Sequence, residues 1–337
     1  MATIEQAKLA AVAEFLTIAP PSTAIHALAV STEPRQIVTG IGRGPKIAQG
    51  VETGEECLRF YVERKLPKGS IPAGNLLPAV YQGVATDVIE TGRFRAGASR
   101  TPAVAVALPG PVRTKLRPTQ PGCSVGFQFT GSESNLVMAG TYGAVVTDGA
   151  QHYILSNNHV LANENDLPVG SPIFQPGLLD GGDPTTDQVA VLTRFVPLQA
   201  AAANLVDCAI ARILNPAQAS AVFLPNVGSL ASPVAVTPVI GMNVEKVGRT
   251  TGYTQGSVFD ATATVKVTYT MGTLVFDDQV LVQGTGAAFS DAGDSGSLIV
   301  DANTKQGTAL LFAGSDVMTI GNKLPNVLTA LGVTLVI

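Results

Sequence analysis

Histidine, cysteine and charge are all scarce in this 337-residue chain. It has three histidines, His26, His152 and His159, and three cysteines, Cys57, Cys123 and Cys208. The cysteines are odd in number and far apart, with no Cys-x-x-Cys pair, so neither a zinc site nor a disulfide framework is supported. No metal is expected, and a reducing, cytoplasmic setting is. Charged residues make up 14% of the chain, against about 25% ordinarily. A net charge of -4 gives no bulk attraction to nucleic acid, and 46% hydrophobic residues exclude a disordered chain. Low charge raises the question of a membrane. The longest uncharged run, residues 213–244, could reach across a bilayer, but Pro216, Pro225, Pro233 and Pro238 break it up. No span is expected. Glu5, Lys8 and Glu14 likewise interrupt the first residues, which read as an amphipathic helix over 3–16 rather than a secretion signal. Phosphate-loop and dinucleotide fingerprints are missing, because Gly40-x-Gly42-x-Gly44 lies outside any βαβ unit. No cofactor is therefore expected.

What the chain has instead is turns. Its 35 Gly and 22 Pro are about 17% of all residues, above the roughly 12% of an average protein. Residues 36–42, 57–63 and 84–90 read as strands and 75–81 as helix-compatible. With the first helix they make a small α+β module over 1–92. Residues 91–132 hold no acid but six bases, Arg93, Arg95, Arg100, Arg113, Lys115 and Arg117, among five prolines. The plain reading of 93–121 is a solvated linker. The functional one is a basic contact surface or a self-cleavage site. From about residue 122 the pattern becomes short strands between turns, with hairpins at Asp148-Gly149 and Met271-Gly272. That argues for a mainly β sandwich or barrel.

Serine needs a base beside it to attack at neutral pH, and histidine is the usual one. His159 follows an apolar strand that ends in Ser156-Asn157-Asn158. Asp207 lies 48 residues on, in Asn204-Leu205-Val206-Asp207-Cys208-Ala209, where a carboxylate among apolar residues needs a partner. An imidazole N–H would supply one and fix the tautomer. Ser295 lies 88 residues further, in Asp291-Ala292-Gly293-Asp294-Ser295-Gly296-Ser297. A turn of that kind can aim the Gly293 and Ser295 amides at one spot, an oxyanion hole. The rival carboxylate, Asp187, lies only 28 residues after His159. An α/β-hydrolase elbow fits worse, since Ser297 replaces its last glycine and no histidine follows residue 159.

These segments, in the order His, Asp, Ser, resemble those of the trypsin/chymotrypsin-like serine peptidases. Residues 175–182, 247–252 and 61–67 further resemble intracellular bacterial and plant members of the Narrow Leaf 1 kind. The resemblance covers 122–337 and implies a chymotrypsin-like double β-barrel, with barrels over about 122–235 and 236–337. It makes the chain a serine endopeptidase acting on protein or peptide substrates. His159 is then the general base, Asp207 its orienter, Ser295 the nucleophile, Gly293 and Ser295 the oxyanion hole, and Asp294 a structural carboxylate. It also places Phe289, Ser290, Asp291 and Ala313, Gly314, Ser315 at the primary pocket. Phe289 stands where a trypsin-specific enzyme carries an acid, so a small or apolar preference is expected. With no activation site of Arg-Ile-Val-Gly type ahead of the barrels, Asp294 should find an internal partner and activity should need no processing. The other class of reading is an inactive peptidase fold serving as a binding scaffold. The front module could dock substrates, cover the site or join copies into a homo-oligomer.

Overall fold

The computed structural model of the protein describes residues 2–16, 31–97, 99–102, 111–223, 227–232 and 235–337. His26 lies outside them. The first helix runs Ile4–Phe15 and opens on a capping box. The Gln6 amide donates to the Thr3 hydroxyl at 3.2 Å, and the Thr3 amide donates to the Gln6 side chain at 2.9 Å, so two orphan N–H groups of the first turn are satisfied. Its buried face, Ala11 and Phe15, packs on Val38, Ile41, Leu58 and Phe60.

The chain is mainly β, and its strands close into two rings. In the first, Pro172–Phe174, Gln188–Phe195, Ala209–Ile213, His152–Ser156 and Ala144–Thr147 pair in that order. The last is continuous in sequence with Leu136–Thr141, which pairs with Ser124–Val125. Gly126 then bridges to Phe174 and closes the ring. In the second, Asn243–Gly248, Leu298–Asp301, Gly307–Gly314, Thr319–Lys323, Gly272–Gly284 and Gly252–Tyr269 pair in order, and the first also pairs with the last. This is a double β-barrel. Closure matters physically, because it leaves neither ring a long row of unpaired backbone groups. The uncharged run 213–244 carries the chain from the last strand of the first ring to the first strand of the second.

Hairpins form at both expected places, the first over residues 148–151 and the second turning on Thr270-Met271, with Gly272 already the first residue of the return strand. The front strands sit differently from the sequence reading. Strand Val38–Ala48 does not end at its glycines but runs on through them, with Gly40 opposite Val265 and Ile41 opposite Thr264. Val51–Val62 and Val84–Glu90 follow on its far side, so the front strands extend the second ring's long hairpin. Residues 75–81 are not helical; they close a 3₁₀ turn at Ala73–Asn75 and end in the short strand Val80–Tyr81. Residues 93–121, read as a linker, contribute strands. Arg95–Ala96 pairs with both Gly252–Tyr269 and Gly307–Gly314, and Ser99–Pro102 pairs with Leu136–Thr141.

Candidate active site

The first ring brings one imidazole and one carboxylate into contact, and the second adds a phenol. Strand His152–Ser156 ends at Asn157, and the short helix Asn158–Leu161 follows, burying His159. Asp207 is fully buried just before strand Ala209–Ile213. Its Oδ1 accepts from the amides of Asn158 at 2.7 Å and His159 at 3.3 Å. Its Oδ2 faces His159 Nδ1 at 2.5 Å and accepts from the Tyr269 hydroxyl at 2.8 Å. Four donors meet the cost of burying the carboxylate. A carboxylate only accepts, so Nδ1 carries the proton and Nε2 is left as an acceptor. Among the described residues Nε2 is buried with no hydrogen-bond partner, the Ser295 hydroxyl included. Burial first, and then the Asp207 carboxylate, hold the Tyr269 phenol well above its ordinary pKa, so it remains a donor. The Asp207 amide donates to Asn322 at 2.9 Å, and Asn157 donates to the Asp207 carbonyl at 2.8 Å.

The serine turn is built on Gly293. Its φ of +98° lies in the left-handed region, and a Cβ there would meet Thr250 Oγ1 at 2.4 Å, so only glycine fits. The Gly293 amide donates to the carbonyl oxygen of Gly97 at 2.8 Å. The Ser295 hydroxyl donates to the same oxygen at 3.0 Å and lies 3.4 Å from the Phe312 carbonyl. The turn is braced by Asp294, fully buried against the ammonium of Lys246 at 3.3 Å. Its carboxylate also accepts from the amides of Thr250 at 2.7 Å, Thr251 at 3.1 Å and Asp291 at 3.0 Å, and from the Thr251 hydroxyl at 2.6 Å. Lys246 is thus the internal partner of Asp294.

A cavity of about 810 Å³ opens at Ser295. Ser290, Asp291, Ala313, Gly314 and Ser315 line it, with Ala292, Arg93, Arg95 and Gly97. Phe289 does not. Its ring is buried in the interior of the second barrel with Val258, Val282 and Ile299, because it alternates inward where Ser290 faces the cavity. The cleft is occupied by the chain itself. Residues 95–97 lie across it, paired with Gly307–Gly314, and the Gly97 carbonyl takes up the Gly293 amide.

The other candidates resolve by their partners. Asp187 forms ion pairs with Lys115 and Arg117, not with a histidine. Arg113 donates to the carbonyls of Arg249 and Thr250 at 2.9 and 3.0 Å, so a base of the segment read as a solvated linker grips the turn after strand Asn243–Gly248. Arg249 in turn makes a two-point ion pair with buried Asp180 at 2.5 and 2.7 Å. Cys208 beside Asp207 is fully buried, and burial raises its thiol well above the ordinary value, so it is inert. His152 is exposed at a strand start, opposite Thr147. Tyr269, Lys246, Asn322 and Gly97 were missed. Among the described residues no group of three or more His, Cys, Asp or Glu side chains could hold a metal. Among the same residues no helix is long and apolar enough to cross a membrane.

A family model described as the Nal1 C-terminal domain matches residues 219–315. That range holds Gly293, Asp294 and Ser295 but neither His159 nor Asp207. No curated protein matches the chain. Solved structures similar to it include Thermobifida fusca protease A, at 16% identity and a TM-score of 0.45, covering 65% of this chain and 99% of that one. Nocardiopsis protease is similar at 17% identity and a TM-score of 0.46, covering 64% and 99%. Cellulomonas bogoriensis chymotrypsin is similar at 18% and 0.44, covering 65% and 99%. The chain resembles chymotrypsin-like serine proteases and, in part, Nal1.

Proposed function

We propose that this protein is a serine endopeptidase that hydrolyses peptide bonds through an acyl-enzyme. One observation carries the reading: an amide N–H, that of Gly293, donates to a peptide carbonyl oxygen that also lies 3.0 Å from the Ser295 hydroxyl. A carbonyl so placed is polarised and within reach of a nucleophile, which is the ground state of acyl transfer. The buried His159–Asp207 pair supports it, since an imidazole held in one tautomer with a bare Nε2 is a base waiting for a proton. In the reaction His159 Nε2 takes the Ser295 proton as Oγ adds to the carbonyl carbon. The oxyanion rests on the Gly293 and Ser295 amides, and His159 then protonates the leaving amine. Water repeats the sequence to free the acid. The substrates are proteins or peptides with a small or apolar residue before the cut bond, to suit a cavity walled by Ser290, Ala292 and Ala313.

Labelling by a serine-directed fluorophosphonate tests this. The wild-type chain should label covalently and Ser295→Ala should not, with hydrolysis falling on the order of 10⁶-fold. Equal labelling of both chains overturns the assignment. A second reading, a peptidase fold used as a binding scaffold, draws on the cleft being filled by residues 95–97. Absent labelling of a folded wild-type chain, with the cleft cleared, would favour it.

A further inference from the structure

The geometry points to the chain's own Gly97–Ala98 bond as a substrate of Ser295, cut within the same molecule. This rests on the peptidase reading above and names a substrate for it. Three features place residues 95–97 and 99–102 as the two arms of a peptide bound at an active cleft, not as a strap that merely crosses it. On one side Arg95–Ala96 adds to the edge of Gly307–Gly314 as an antiparallel strand, Ala96 opposite Ala313 and Arg95 opposite Gly314. On the other side Ser99–Pro102 adds to Leu136–Thr141 in the first barrel, Ser99 opposite Ala139. Strand addition of this kind fixes a peptide by its backbone alone. Between the two, the Gly97 carbonyl is the one that receives both the Gly293 amide and the Ser295 hydroxyl.

The residue at the cut suits the site. A Cβ on Gly97 would meet Ala292 at 3.5 Å, ordinary contact, so the position accepts glycine or a small side chain. The upstream chain is anchored, which holds the carbonyl in place. Phe94 is fully buried, its carbonyl accepts from the Thr268 amide at 3.0 Å, and the Ser315 hydroxyl donates to the Thr91 carbonyl. In the step, the Ser295 Oγ–C bond to Gly97 forms as the Oγ proton passes to His159 Nε2. The C–N bond to Ala98 breaks, and the same proton leaves on the Ala98 amine. Water then adds to the Gly97 ester, gives a proton to His159 and frees Ser295, which recovers its proton. The products are residues 1–97 ending in a carboxylate and residues 98–337 beginning with a free Ala98 amine.

The experiment is intact-mass analysis and N-terminal sequencing of the purified full chain, wild type and Ser295→Ala, with fluorophosphonate labelling alongside. Wild type should convert to fragments of 97 and 240 residues, the larger starting Ala98-Ser99-Arg100, and Ser295→Ala should stay whole. When a tagged Ser295→Ala chain is mixed with wild type, it should remain uncut at Gly97–Ala98 while the wild type is processed. Wild type that labels with fluorophosphonate yet stays whole, or is cut at another bond, overturns the self-cleavage and leaves the peptidase reading standing. Cutting of the tagged chain as fast as wild type overturns the intramolecular route. A wild type that neither labels nor cuts overturns both.

Discussion

Lys246→Met is the sharpest test of how the serine turn is held. Lys246 and Asp294 are both fully buried, and burial lowers the lysine's pKa while the carboxylate raises it. Methionine keeps the length of the stem and removes the charge. Breaking a buried pair by deleting one partner costs about 3–5 kcal/mol, because the other charge is stranded. Asp294 keeps four donors, the amides of Asp291, Thr250 and Thr251 and the Thr251 hydroxyl, so the low end applies, about 3 kcal/mol. For a chain of this length that is a fall of about 4 °C in the melting midpoint. The same carboxylate positions Gly293 and Ser295, so fluorophosphonate labelling should slow on the order of 10- to 100-fold, as small misplacements do. Adding Asp294→Asn removes the stranded charge and should return part of the lost stability. Urea unfolding and labelling rates on the three chains read this out. Stability of Lys246→Met within about 0.5 kcal/mol of wild type, the range of an ordinary surface change, would refute the account. So would a double variant whose losses simply add.

Two further changes probe the site and the front helix. Tyr269→Phe keeps the ring stacked on Phe276 at 5.8 Å and deletes the hydrogen bond to Asp207. Stability should drop by about 1.5 kcal/mol, the low end for a bond to a charged group, with slower fluorophosphonate labelling; an unchanged labelling rate counts against a role in holding the carboxylate. Burial, and then Arg35, bring the Lys266 ammonium down from 10.5 to about 8, and it donates to the carbonyls of Phe15 and Arg35. Between those values the unfolded chain holds a proton the folded one has released, so this lysine makes stability rise with pH. Denaturation midpoints across that window should rise less steeply in Lys266→Met, and an identical slope excludes the effect.

Much of the second half of the molecule was legible because its signals are local. Asp148-Gly149 and Met271-Gly272 sit between apolar runs, and a hairpin forms at each, the second one residue earlier than its glycine suggests. The three chemical segments were readable since few residue types perform that chemistry and each stood at a strand end. What could not be read is non-local. Gly40 and Gly42 looked like the end of a strand. They are instead places where two backbones approach: a Cβ on Gly40 would meet Val265 at 2.9 Å, and one on Gly42 would meet Asp260 at 1.9 Å. The partner strand is more than two hundred residues away. Lys246 carries no signal in the sequence, because nothing near it announces Asp294. The resemblance puts Phe289 at the pocket, and one position of alternation puts it inside the barrel rather than in the cavity. Gly97 carried no signal beyond its place in a basic, proline-rich stretch. Its meaning comes wholly from the carbonyl it presents to Gly293.

The long hairpin Gly252–Tyr269 and Gly272–Gly284 serves both parts of the chain at once. Val265 pairs with Gly40 of the front strands, and four residues on Tyr269 touches Asp207. Tyr61 from the front strands shares one apolar cluster with Phe276 and Phe312. Peeling the front residues away would therefore wet a cluster that reaches the serine's own neighbours, and losing the barrel would take away the surface on which the front strands rest. Each portion has a cluster of its own, but this one is shared. The two are cooperative, and heat or denaturant should take them down together in a single step.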